Sequence, residues 1–197
     1  MTQPKRLRFS LLASIGVTAV FFGSSARGND DHLIAALHRP AHALLLRHAY
    51  APGFGDPAHF RMGDCNTQRN LDQRGRAEAR AIGQRLRQAG IAQARVLSSE
   101  WCRCTETARL LGLGPVKMAP ALSSFFARPD EGAARLAATR KLIAETTRAG
   151  GPVVMVTHDV TIAGLTGERV ATGDGAVVRL EDGELRLVGI LRLAERE

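Results

Sequence analysis

The sequence predicts an α/β protein, a three-layer α/β/α sandwich on a mainly parallel central sheet. Three observations predict it. Residues 43–46 and 153–156 are continuous apolar runs without polar alternation, as expected of central strands buried on both faces. Between them, Gly75, Ala79, Ile82, Leu86 and Ala89 recur at steps of four and three, the signature of an amphipathic helix. Strand-like and helix-like stretches then alternate to the end of the chain, which is the pattern of layered α/β folds. At 197 residues and 45% apolar content the chain suits one domain with a packed core. A mean hydropathy of −0.08 excludes a multi-span membrane protein. The absence of a repeat or a Pro-rich tract from the sequence excludes collagenous, disordered and solenoid classes.

The elements follow in order. Lys5, Arg6 and Arg8 lead an apolar run over 9–22, then Gly23-Ser24-Ser25-Ala26 offers small residues for a cut after Ala26. This is the plan of a secretory signal peptide, giving a leader over 1–26 and a mature domain over 27–197. The run is too short for a bilayer span, which needs roughly 20 residues, so no stable span is expected after cleavage. Residues 31–37 read as a short helix ended near Arg39-Pro40. Residues 43–46 form the first strand, and 50–70, rich in Gly, Pro, Asp and Asn, form a long loop of the kind that is usually functional. The amphipathic helix ends at Gly90. Residues 94–97 read as a second strand, with Ser98-Ser99 as turn and cap into a helix over 101–111. A third short strand is expected over 115–119, a helix over 132–148 and a strand over 153–156. Asp159 reads as the cap of a helical segment over 160–165. Asp182-Gly183 has the turn chemistry of a hairpin joining 176–180 to 184–193.

The chain carries a formal charge of +8, and without the leader 24 Lys and Arg face 19 Asp and Glu. Much of the excess is arginine between Arg69 and Arg109, where Trp101 is the only aromatic, so a nucleic-acid surface with interleaved aromatics is excluded. An exported protein can keep disulfides, and Cys65, Cys102 and Cys104 are an odd set. Cys102 and Cys104 are too close to pair comfortably, so Cys65 is expected to bridge one of them and leave one buried thiol. No second cluster completes a metal site.

In open α/β sheets ligands bind beyond the C-terminal ends of the strands. The first strand ends in Arg47-His48-Ala49, the second in Ser98-Ser99 with Arg103 in the next helical turn, and the late strand in Thr157-His158-Asp159. If these strands are parallel, two guanidiniums, two imidazoles and a carboxylate share one pocket, beside the N–H groups of a helix start. Each alone has a plain explanation: a surface Arg-His pair, a satisfied core histidine, a capping aspartate, a solvated arginine. Their common position after apolar strands is what independent accidents rarely arrange. The set suits a phosphoryl group. Arginine grips phosphate oxygens bidentately, a neutral histidine attacks phosphorus, a second histidine steadies the transferred oxygens, and an acid protonates the leaving alkoxide.

Leu46-Arg47-His48-Ala49, the stretch from Leu71 through Gly75 to Ala79, the block Ser98-Ser99 to Arg103 and Thr107-Ala108, and Val156-Thr157-His158 together resemble the histidine phosphatase (phosphoglycerate mutase-like) superfamily, in that family's order over about 42–166. The resemblance implies His48 as the nucleophile that becomes phosphohistidine, with Arg47, Arg103 and His158 completing the phosphate pocket and no metal or other cofactor. It leaves Asn66 or Gln68 as loop residues that could touch substrate. Mutase-type members carry a glutamate acid after the third strand, where this chain has Ala121-Leu122-Ser123-Ser124-Phe125-Phe126. His158-Asp159-Val160-Thr161-Ile162 is instead similar to the His-Asp motif of the acid phosphatase and phytase branch, which makes Asp159 the expected proton donor and Glu100 the second choice. Arg47 and Arg103 beside Asp159 would oppose that role by holding it ionised, whereas burial and a bound phosphate dianion would favour it.

The expected function is an exported phosphomonoesterase, periplasmic or secreted. Its substrate would be a small-molecule or glycolipid phosphate ester, such as the lipopolysaccharide core heptose phosphate handled by small exported members of the family. A mutase is disfavoured by export and by the missing glutamate. A phosphohistidine-protein phosphatase and a non-catalytic phosphate-binding protein of the envelope are the alternatives, and the intact His48 disfavours the binder. The sequence leaves oligomeric state open.

Overall fold

The computed structural model describes residues 25–194. Most of the expected leader lies outside the described residues. The first helix, α1 (Ser25–Ala36), begins earlier than the expected helix and runs through the site of the expected cut.

Six strands form one sheet: β1 (His42–Arg47), β2 (Arg95–Ser98), β3 (Val116–Met118), β4 (Val153–Thr157), β5 (Gly175–Glu181) and β6 (Glu184–Leu191), in the order β3-β2-β4-β1-β5-β6. The four strands from β3 to β1 are parallel, and β5 and β6 close the edge as an antiparallel hairpin. The hairpin turns at Asp182 and Gly183, both with positive φ, as a tight right-twisted turn requires.

The apolar runs explain the layers. In β1, Leu44 and Leu46 point to one face and Ala43 and Leu45 to the other, and all four are fully buried. The first face packs Leu33 and Leu37 of α1 and its end, Ile82 and Leu86 of α2 (Gln73–Gln88), and Ala108 and Leu111 of α3 (Cys102–Leu111). The second packs Ile143 of α4 (Gly132–Thr147) and Ile162 and Leu165 of α5 (Asp159–Thr166). The three-layer sandwich on a mainly parallel sheet is therefore the fold.

Two local expectations are corrected. Ser98 and Ser99 are not the N-cap of α3, which is Trp101 without a side-chain cap bond: Ser99 Oγ lies 2.9 Å from His158 Nε2 and accepts from Trp101 N at 3.4 Å. Asp159 is the first residue of α5, behind the N-cap His158, and its carboxylate turns to arginines instead of the helix N–H groups. α2 is capped by Asp72, whose side chain accepts from Gly75 N. Gly75 itself lies against the Tyr50 carbonyl, where a Cβ would collide, so α2 starts directly beneath the long loop.

Candidate active site

The parallel register places three strand ends side by side. Arg47 pairs with Thr157 and Ser98 with Val156, so β1, β4 and β2 finish at one level. The ladder continues one step further, with His48 N donating to Thr157 O at 3.1 Å and Ser99 N to Val156 O at 2.9 Å. Beyond these ends lies a cavity of about 1080 Å³, lined by Arg47, His48, Arg103, His158 and Asp159 among others.

His48 is buried, and its Nδ1 sits 2.8 Å from the Ala49 carbonyl. A carbonyl only accepts, so Nδ1 carries the proton and Nε2 keeps its lone pair. Burial, followed by the Arg103 charge and then Arg47 and Arg69, pushes His48 down from 6.5 to about 3, against an upward pull from the Ala49 carbonyl. The ring is therefore neutral at any ordinary pH. The His158 ring stands edge-on to it with centroids 5.6 Å apart, braced by Ser99 and by the buried Cys104, whose Sγ is 3.5 Å from Nε2. Burial, then Arg103 and His48, hold His158 well below the usual histidine range.

The two arginines are held differently. Arg47 donates through Nη1 to Val170 O at 2.8 Å and lies 4.0 Å from Asp159. Arg103 forks onto Asp56, at 2.7 and 3.2 Å, while Trp101 Nε1 donates to the same carboxylate at 3.1 Å. Burial raises the Asp56 pKa, but the Arg103 hydrogen bonds and charge outweigh it and hold the carboxyl below its usual range. The Nε atoms of Arg47 and Arg103 and the Ser123 hydroxyl are buried and have no hydrogen-bond partner among the described residues. All three residues line the cavity. Buried donors of this kind are costly unless an acceptor meets them, and the chemistry of the set is that of an oxyanion cradle.

Asp159 is in the cavity, with Arg169 at 2.9 Å and Arg47 at 4.0 Å, and it accepts from Val170 N. Glu100 also lines the cavity. Asn66 and Gln68 are absent from the lining. Asn66 is exposed, and the buried Gln68 spends its amide on the loop, accepting from Cys102 N at 2.9 Å and donating to Arg61 O at 3.1 Å. Gln68 thereby occupies one of the N–H groups at the α3 start that sequence reasoning offered to an anion. Cys65 and Cys102 are bonded, tying the loop to the first turn of α3, and Cys104 is the free buried thiol. No group of three or more metal-ligating side chains occurs among the described residues.

Sequence reasoning missed Asp56, Arg69 and Arg169. Asp56 sits in an irregular loop with no periodicity to mark it, and only the fold brings it to Arg103. Arg69 donates to the loop carbonyls of Gly55 and Ala51 and so brings a further cation to the lining.

Residues 43–126 match the family model for the histidine phosphatase superfamily, branch 1. A stretch of 70 residues is 34% identical to the mitochondrial serine/threonine-protein phosphatase Pgam5 of Drosophila virilis, covering 36% of this chain and 22% of that protein, so the match spans about a fifth of the relative's length. The fold is similar to that of the protein histidine phosphatase SixA complexed with tungstate (TM-score 0.53, 21% identity, 76% of this chain and 95% of that one). It is also similar to that of a mycobacterial hydrolase (0.58, 18%, 81% and 94%) and of a mycobacterial glucosyl-3-phosphoglycerate phosphatase (0.55, 18%, 76% and 98%). The matched span carries Arg47-His48 and Arg103, and the fold of this chain brings His158 to meet them: residues 43–126 belong to the histidine phosphatase superfamily.

Proposed function

We propose that this protein is a phosphomonoesterase that works through a covalent phosphohistidine on His48. One observation carries the reading. A proton-fixed, neutral imidazole stands in the same cavity as the unpartnered buried donors of Arg47, Arg103 and Ser123. The lone pair on His48 Nε2 attacks phosphorus while the arginines hold the non-bridging oxygens, and His158 lies within reach of the same oxygens. The P–O bond to the alcohol breaks as the N–P bond forms, and water then attacks the phosphohistidine, releasing phosphate and restoring His48. Asp159 protonates the departing alkoxide. In the free protein its carboxylate lies 2.9 Å from Arg169 and 4.0 Å from Arg47, and a bound dianion would engage Arg47 and add negative charge beside it.

Brief reaction with a labelled ester, followed by alkaline denaturation, is expected to leave acid-labile phosphate on wild type and none on His48→Ala, whose turnover falls by at least about 10⁴-fold. A protein that binds phosphate esters without forming that adduct is a binder, and the proposal fails. For the acid, Asp159→Asn is expected to cost an alkyl phosphate about a hundredfold in kcat and nitrophenyl phosphate only a fewfold, because nitrophenolate leaves without a proton. Equal losses on both esters remove Asp159 from that role and pass it to Glu100.

The finer reading is an exported enzyme, periplasmic or secreted, acting on an envelope sugar phosphate such as lipopolysaccharide core heptose phosphate. The cationic lead and small-residue site near Ala26 support export, and the wide cavity supports a substrate larger than a metabolite phosphate. Fractionation of expressing cells and a substrate panel of phosphate esters test these two statements separately.

A further inference from the structure

The described residues hold six aromatic side chains: Tyr50, Phe54, Phe60, Trp101, Phe125 and Phe126. None is among the buried residues of the core, although aromatic rings ordinarily supply much of a core's buried area. All but Phe125 line the cavity. The core is built from Leu, Ile, Val, Ala and Met, and the rings are collected at the site.

Their arrangement has a direction. Phe54 and Phe126, 88% and 58% exposed, come from the loop after β1 and the segment after β3 and meet edge to face with centroids 5.4 Å apart. Deeper, Phe60 stacks on Trp101 at 5.4 Å and 21°, and Trp101 stands edge-on to His158 at 5.2 Å. Two exposed rings from separate segments contribute little to folding, and exposed apolar surface of this kind commonly marks where a ligand or partner sits. A phosphate fills only a small part of about 1080 Å³, which leaves room for a leaving group at least the size of a ring.

We infer that the cavity favours phosphate monoesters whose alcohol carries an aromatic ring over those of saturated alcohols, so that in the substrate panel such an ester is expected to outrank the heptose phosphate. This rests on the phosphatase reading for the phosphate end: the phosphoryl group sits on Arg47 and Arg103, and the ring of the alcohol lies between the Phe54–Phe126 pair and the Phe60–Trp101 stack. The ring takes no part in bond making. It departs on the alcohol when the P–O bond breaks and the alkoxide takes up its proton. Stacked and edge-on pairs present ring faces and ring edges, a quadrupolar surface that a further ring matches better than a saturated group of equal bulk.

The test compares 2-phenylethyl, 2-cyclohexylethyl and ethyl phosphates, all esters of primary alkanols, so that leaving-group strength does not separate them. The expected kcat/KM for the phenylethyl ester exceeds that for ethyl phosphate by about tenfold, and Phe54→Ser/Phe126→Ser brings the ratio to about twofold. Trp101 is the only tryptophan of the chain, so its fluorescence reports binding without turnover. 2-Phenylethylphosphonate is expected to bind about tenfold tighter than ethylphosphonate, to His48→Ala as well as to wild type. Equal phosphonate affinities, a ratio unmoved by the double variant, or equal preference for the cyclohexyl ester each overturn the inference. If no ester is hydrolysed and the phosphonate preference persists, the phosphatase reading falls and ring selection stands.

Discussion

His48 shows how one residue's surroundings fix its chemistry. The Ala49 carbonyl sets the tautomer, and burial beside Arg103 keeps the ring uncharged. The same surroundings make it a source of pH-dependent stability. The folded-state pKa of about 3 lies below the reference value of 6.5, so between these limits the unfolded chain takes up a proton that the folded chain refuses. Stability is therefore complete above about 6.5 and falls as pH drops toward 3, by about 1.4 kcal/mol per unit for a histidine so held. His158 is shifted in the same direction and adds to the slope. Urea denaturation between pH 6.5 and 4.5 is expected to show this decline. His48→Asn, whose amide can still donate to the Ala49 carbonyl but cannot titrate, flattens it. A variant with the wild-type slope would show that His48 is charged in the folded protein. The positions of Arg47, His48, Arg103 and His158 were legible in the sequence because each follows an apolar run that ends in the site. The partners that hold them were not: Ser99 read as a cap because its type is a capping type, and only the fold shows it spent on His158.

At the level of elements, regular structure was legible where a period marked it, and the long loop was legible only as a loop. α2 emerged from its steps of four and three, and the apolar runs gave β1 and β4 to within a residue or two. The loop has one 3₁₀ turn, Cys65–Thr67, and otherwise coheres through scattered contacts: Asp56 with Arg103 and Trp101, Gln68 with Cys102 N, and the Cys65–Cys102 bond. None of these has a sequence period, and residue types alone could not choose between Cys102 and Cys104 as the partner of Cys65. The bridge spans a separation of 37 residues, so its loss is expected to cost at most about 4 kcal/mol by loop-closure entropy. Because the loop carries Asp56 and Arg69 into the cavity, Cys65→Ser should also raise KM severalfold. Calorimetry and steady-state kinetics, with and without dithiothreitol, check both effects, since Cys65 is exposed. A lowered Tm with unchanged KM would show that the Asp56–Arg103 pair alone holds the loop in place.

For the whole molecule, the decisive feature is the strand order. Setting β4 between β1 and β2 makes neighbours of chain ends separated by about 50 to 110 positions, and the sequence could supply the ends but not their adjacency. That convergence also concentrates charge. Six arginines and four carboxylates line the cavity of a chain whose formal charge is +8, so the mouth draws anions from solution. Such attraction is screened once the Debye length, about 30 Å at 0.01 M salt, shrinks to about 8 Å at 0.15 M. Contacts made inside the cavity are screened far less. For a dianionic ester kcat/KM is therefore expected to fall severalfold between these salt concentrations while kcat holds steady. Arg128→Gln, at an exposed rim position paired with Glu131, should lessen the salt dependence without abolishing turnover. If kcat/KM stays flat, the carboxylates at the rim cancel the arginine field before it reaches solvent, and encounter is governed by the apolar mouth alone.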